Sequence, residues 1–293
     1  MLTASPHSKL KVSQDPQDPL VPPGTNGTSG VKGDAGPLTS SCSATLRWDL
    51  PACQTATVNV GDGPVGVAFD GTYIWVANTV SGTVSKIDPV TDAVIGTPIG
   101  VGTGPFGVAF DGTNIWVANY GSGSVSKIDP VTDAVIGTPI GVGADPFGVA
   151  FDGTNIWVTN DGSGSVSKID RVTGTVIGFP IGVGTSPRGV AFDGTNIWVA
   201  NTGSGSVSKI NPANNAVTTT ITGLISPEGV AFDGTNIWVT NTGSTGVSKI
   251  NPVTGTVTAT VNVGQFSRGV AFDGTNIWVT NPVSDTVFKI VPF

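Results

Sequence analysis

The chain has 293 residues, a formal charge of -7, 42 glycines and only 11% charged residues. A chain rich in Gly, Thr, Ser and Val and this poor in charge favours short strands and tight turns over helices. It lacks the concentrated Lys/Arg face that phosphate contact requires, which excludes nonspecific binding to nucleic acid or to an anionic membrane surface, and no stretch approaches the ~20 apolar residues of a membrane-spanning helix.

Residues 1–41 are rich in Pro, Gly, Ser and Asp and almost free of periodic apolar residues. Such a segment cannot bury enough surface to offset chain entropy, so a disordered arm is expected there, with the folded domain over 42–293. The opening residues MLTASPHSKLKV carry no apolar signal-peptide core, so the export route cannot be read from them. Cys42 and Cys53 are the only cysteines. Their proximity favours one disulfide in an oxidising compartment, with two free thiols in a cytosolic protein as the alternative.

From Gly66 onward the segment GVAFDGT recurs, starting at Gly66, Gly107, Gly148, Gly189, Gly229 and Gly269, a period of 41 or 40 residues. Each unit reads as four strands. In the first they are Val67 to Phe69, Tyr73 to Ala77, Thr83 to Ile87 and Ala93 to Ile99, separated by Asp70-Gly71, Ser81-Gly82 and an Asx-type turn at Asp88-Pro89. Four short antiparallel strands in ~40 to 45 residues match a propeller blade. The first two strands are nearly continuous apolar runs, expected where both sheet faces are covered, and the last two alternate polar with apolar residues as an outer half would. Six equivalent tryptophans, Trp75, Trp116, Trp157, Trp198, Trp238 and Trp278, are assigned to packing between blades. The sixth unit stops after its third strand, while Thr55 to Val60 repeats the sequence of Thr258 to Val263, a fourth strand. The expectation is an all-β, six-bladed β-propeller of four-stranded antiparallel blades, closed by an N-terminal strand that completes the last blade and removes an exposed edge.

The unit GVAFDGTNIWVTNTGSTGVSKINPVTGTVTATVNVG, above all its WVTN or WVAN strand followed by SVSKIDP, resembles the YVTN-type propeller repeat of the YncE-like family of bacterial surface and periplasmic proteins. Tryptophan stands here where the family pattern has tyrosine. The resemblance implies the fold over residues 55–293, a secreted, periplasmic or cell-surface setting, and a scaffold more often than a reaction. Virginiamycin B lyase and the gluconolactonase-like hydrolases share related architectures, but both depend on a metal site or a histidine base. The single histidine here, His7, lies in the arm, which disfavours a transition-metal site and a histidine-activated nucleophile.

Six identical surfaces cannot build an asymmetric site, so candidates come from positions where the copies disagree. Before each GVA stand Val65, Phe106, Phe147, Arg188, Glu228 and Arg268; after each second-strand Asn stand Thr79, Tyr120, Asp161, Thr202, Thr242 and Pro282. Both positions belong to one face, around the channel mouth, where functional loops gather. The candidate ligand site is Arg188, Glu228, Arg268, Phe106, Phe147, Tyr120 and Asp161. The arginines would hold an acidic group and the phenylalanines an apolar part; in the bland alternative Glu228 bridges the arginines and the phenylalanines cover neighbouring blades. Asp70 and its five equivalents are assigned to turn capping over a Ca²⁺-binding ring, and Lys86 and its equivalents to solvated flanks.

The main expectation is a non-enzymatic binding or interaction propeller, more a binding scaffold than an enzyme. It would be monomeric, without a cofactor, and would bind a small molecule, peptide or protein. A metal-assisted lyase or hydrolase of propeller type and a purely structural surface repeat are the alternatives.

Overall fold

Residues 57–293 are described by a computed structural model. The expected arm over 1–41, Cys42, Cys53 and His7 lie outside these residues. Six antiparallel sheets follow one another along the chain, at 64–100, 105–141, 146–182, 187–222, 227–262 and 270–290. The protein is a six-bladed β-propeller, and no helix among the described residues is long and apolar enough to cross a membrane.

Blade 1 sets the pattern with β1 (Pro64–Phe69), β2 (Ile74–Asn78), β3 (Thr83–Asp88) and β4 (Ala93–Gly100), paired in sequence order. In blades 1 to 5 the inner strand carries an irregularity between its proline and the valine of GVA, as between Pro64 and Val67. Proline has no N–H for a regular ladder, and the bulge re-aims the residue between them toward the mouth. The outer strand varies between blades. Ala216–Thr222 and Thr256–Asn262 run continuously, whereas in blade 2 the strand breaks into Ala134–Val135 and Ile140–Gly141. Blade 1 has the same AVIGTPIG sequence, with Gly96 at φ 66°, in a strand that stays continuous over Ala93–Gly100.

The core lies in the seams between blades. Trp75, Val84 and Ile99 of blade 1 pack on Ile115, Val117 and Ile128 of blade 2, and the same sets recur at the next four seams. Trp75, Trp116, Trp157, Trp198 and Trp238 are completely buried. The indole N–H of each donates to the Asp carboxylate five residues earlier at 2.6–2.8 Å, so a buried polar group is satisfied within its own hairpin.

A second interlock runs along the inner strands. A Cβ added at Gly66, Gly107, Gly148, Gly189 or Gly229 would overlap the carbonyl oxygen of Phe106, Phe147, Arg188, Glu228 or Arg268 in the next blade. Glycine there allows the close backbone approach that the seam needs. A third interlock is made by lysine hydrogen bonds. Lys86, Lys127, Lys168 and Lys209 donate to the carbonyls of Pro130, Arg171, Pro212 and Pro252 at 2.7–2.8 Å, and Lys249 donates to that of Phe293. Each of these ammonium groups also sits 5.0–5.7 Å from its own blade's indole. The lysines are therefore seam bolts rather than the solvated flanks expected, because the carbonyls that receive them come from the next copy, outside any local sequence window.

The sixth sheet contains three strands, Val270–Phe272, Ile277–Asn281 and Thr286–Ile290. The completing strand expected at Thr55 to Val60 begins outside the described residues, and Thr57 to Val60 form no strand.

Candidate functional site at the channel mouth

The two loops that carry the variable positions lie on one face, joined by backbone hydrogen bonds. The amides of Tyr120, Asp161, Thr202 and Thr242 donate to the carbonyls of Gly104, Asp145, Ser186 and Ser226 at 2.8–2.9 Å. The receiving residue sits in the left-handed region, at φ 62°, 54°, 51° and 50° respectively. Three of these four positions are not glycine, so the entry turns of blades 3 to 5 hold a conformation that costs L residues energy.

On this frame the aromatic candidates form one cluster. The rings of Phe106 and Phe147 lie 4.8 Å apart, Phe106 and Tyr120 5.5 Å, and Tyr120 and Phe147 6.4 Å in an edge-on arrangement. Arg188 joins this cluster to the charged sector. Its guanidinium lies 5.2 Å over the Phe147 ring, its Nε donates to Asp161 Oδ2 at 3.2 Å, and its Nη1 stands 3.8 Å from Glu228 Oε1. The Asp161 and Glu228 side chains are 10% and 11% exposed against 31% for Arg188, so the cation covers both carboxylates from the mouth. The aromatic and charged sectors are contiguous.

Burial raises the Tyr120 phenol above its ordinary value, and the negative charges of Asp145 and Asp161 add to the rise against the opposing Arg188 cation. The Tyr120 phenol is therefore protonated at physiological pH, as an ordinary tyrosine is, and is a weaker acid than one. Asp145 was missed in the sequence because it precedes the proline of PFGVAF, two positions before the nearer variable column. The signal was present: the same place is Gly63 and Gly104 in blades 1 and 2 and serine in blades 4 and 5.

Arg268 is exposed and, among the described residues, forms no ion pair. Its blade lacks the inner-strand proline, having Ser267 instead, and its inner strand begins only at Val270. Glu228 therefore pairs with one arginine rather than bridging two. Where threonine follows the second strand its hydroxyl serves the frame: Thr79 donates to the Pro105 carbonyl and Thr202 to that of Pro227, at 2.6 and 2.7 Å.

The opposite face holds the Asp-Gly turns. In each, one carboxylate oxygen accepts two backbone amides, as Asp152 Oδ1 does from Thr154 and Asn155, and the other accepts the indole N–H. This accounts for both oxygens without a cation. Among the described residues no group of three or more His, Cys, Asp or Glu side chains converges to hold a metal.

No family model matches the sequence, and no curated protein does. Solved structures do. Hydrazine synthase of Kuenenia stuttgartiensis superposes with a TM-score of 0.71 at 23% identity, over 81% of this chain and 79% of that one. A catalytically inactive histidine-to-alanine variant of virginiamycin B lyase from Staphylococcus aureus, solved with quinupristin, gives 0.68 at 14%, over 80% and 82%. The computationally designed protein Ika8 gives 0.66 at 12%, over 78% and 71%. At these identities the likeness carries the propeller fold, and that fold is shared with enzymes. The expectation of a non-enzymatic binding scaffold is corrected accordingly. It rested on the missing histidine base, which excludes one kind of chemistry but leaves tyrosine, carboxylate and arginine in place at the mouth.

Proposed function

We propose that the chain is a propeller enzyme of lyase or hydrolase type, acting at the mouth between blades 2 and 5 on a substrate with an aromatic or apolar portion beside a carbonyl. The observation that carries this is Arg188, which rests on Phe147 while engaging Asp161 and Glu228, with the neutral Tyr120 phenol in the adjoining aromatic cluster. Those groups supply an acid, a base and an oxyanion partner. In an elimination, Arg188 holds the substrate carbonyl oxygen and Glu228, the more loosely held of its two carboxylates, removes the proton from the adjacent carbon. The electron pair forms the new C=C bond as the carbon–oxygen bond to the leaving group breaks, and Tyr120 protonates the departing oxygen. The metal-assisted version lacks a ligand set among the described residues, and no step here passes through a metal.

The repeated WVTN and WVAN strands support affiliation with the YVTN-type propellers, and a secreted, periplasmic or cell-surface setting follows from that affiliation. The test is to incubate the full chain with quinupristin and with a panel of aryl-substituted esters and lactones, following products by mass spectrometry. Turnover should fall about 10²–10⁴-fold in Tyr120→Phe, with Arg188→Ala also impaired. A chain that converts none of these substrates, or variants that keep the full rate, would sink the reading.

A further inference from the structure

The residue two places after the repeated tryptophan is alanine in blades 1, 2 and 4 (Ala77, Ala118, Ala200) and threonine in blades 3, 5 and 6 (Thr159, Thr240, Thr280). The alanines, Thr159 and Thr240 are completely buried. The choice correlates with what the next blade presents at the mouth. Phe106, Phe147 and Glu228 follow an alanine across the seam, whereas Arg188 and Arg268 follow a threonine. The Thr159 hydroxyl accepts the Gly148 amide at 2.8 Å and donates to the Arg188 carbonyl at 2.7 Å. Thr240 does the same with the Gly229 amide and the Arg268 carbonyl, at 2.8 and 2.6 Å.

At the seam between blades 3 and 4 this one hydroxyl ties together the backbones of the two residues in the cation–π contact. The amide belongs to the Phe147–Gly148 peptide and the carbonyl to the Arg188–Gly189 peptide. Beside it the Arg188 guanidinium lies 5.2 Å over the Phe147 ring, with Asp161 Oδ2 at 3.2 Å from Nε and Glu228 Oε1 at 3.8 Å from Nη1. Blades 1 and 4 tie the next blade from further along the chain, where Thr79 and Thr202 donate to the Pro105 and Pro227 carbonyls at 2.6 and 2.7 Å. In blade 3 that place is Asp161, which has no hydroxyl when ionised and faces Arg188 instead. Thr159 supplies the tie from two residues earlier, inside the seam, and position 161 is thereby given over to a carboxylate.

We propose that Thr159 is a positioning residue for the mouth site: its buried hydroxyl fixes the Phe147 and Arg188 backbones so that the guanidinium stays seated on the ring between Asp161 and Glu228. Ordering so long a side chain costs rotamer entropy. With its backbone pinned, only the side-chain torsions are left for Phe147, Asp161 and Glu228 to set. The consequence for turnover rests on the function proposed above, whereas the seating of Arg188 is independent of it. Reaction geometry tolerates little displacement, since a misplacement of about 1 Å costs about 10²-fold in rate.

The experiment uses the full chain with Thr159→Ala, which installs the residue that blades 1, 2 and 4 already carry there, and Thr159→Ser, which keeps the hydroxyl. The sequence has four arginines, so nitrogen-15 spectra resolve their Nε–H signals and Arg188→Lys assigns the one of interest. In the unaltered chain the Arg188 Nε–H should exchange slowly with water, because it is bonded to Asp161. Thr159→Ala should speed that exchange about tenfold and Thr159→Ser should restore it, with the indole signals of the buried tryptophans in place in both. On any substrate the chain converts, kcat should fall about 10- to 10²-fold in Thr159→Ala and stay near the original in Thr159→Ser. Three results overturn the proposal: an Arg188 exchange rate unchanged in Thr159→Ala, full turnover from that variant despite a released Arg188, or indole signals lost along with the Arg188 signal, which would make Thr159 part of the frame alone. A chain that converts nothing sinks the proposed reaction, and the exchange rate still decides the seating of Arg188.

Discussion

The two faces of this propeller are built from the same repeat but constrained differently. On the Asp-Gly face every copy is alike, and each carboxylate is fully used by two amides and an indole, as with Asp111, Thr113, Asn114 and Trp116. On the mouth face the frame is alike, but the residues it presents are not: Phe106, Tyr120, Phe147, Asp161, Arg188 and Glu228 form one patch across four blades. The difference teaches that identity among copies marks positions required by packing, and divergence marks positions the packing leaves free. A residue on the first face should govern stability, and one on the second should govern chemistry.

The strongest way to break that division is Trp157→Ala. It empties a fully buried site in the seam between blades 3 and 4, and should cost about 3–5 kcal/mol in chemical denaturation. Next comes Asp152→Ala, which removes the acceptor for two turn amides and leaves the buried Trp157 indole without a partner. The expected loss is about 2–3 kcal/mol by the same assay. A value near zero for either variant would undo the assignment of the conserved-in-repeat face to stability.

Acid sharpens the comparison without mutation. Burial pushes the carboxyls of Asp70 and Asp233 up, but their hydrogen bonds from turn amides and indole outweigh it, and both are lowered below 3.8. The Trp278 indole and the Asn276 amide lower Asp273 further. A folded-state value below the unfolded one gives stability that is complete above the unfolded value and is lost as pH falls through the folded one. The melting temperature should therefore hold steady from about pH 7 down to about 5 and decline below about 4. A melting curve unchanged down to about pH 2 would show that these turns contribute nothing through their charge.

The smallest stability effect belongs to the mouth. Arg188→Ala removes a partly exposed cation from two carboxylates and an aromatic ring, and should change stability by no more than about 1 kcal/mol. The same variant is the one expected to impair turnover, so a large unfolding penalty would place Arg188 with the frame instead of the site.

Much of this was legible residue by residue. The Asp-Gly turns, the buried tryptophans and the blade period follow from local chemistry that each copy contains whole. The variable columns at the mouth were legible too, because subtracting one copy from another needs only alignment. The seam lysines were not, since Lys127 meets Arg171 in a different copy and nothing within one unit shows that a carbonyl awaits it. Asp145 escaped for a related reason: its importance comes from the field it exerts on Tyr120 across a turn, which no column of differences reports.

The sequence by itself determined the six repeated sheets, because hairpin turns, strand alternation and the indole–carboxylate pair are interactions within about forty residues. Only the tertiary structure decided that the aromatic and charged sectors touch, and that, among the described residues, Arg188 rather than Arg268 is the paired arginine. Each of those depends on the angle and distance between blades, which is set by how side chains interdigitate across seams and is not encoded in any single copy.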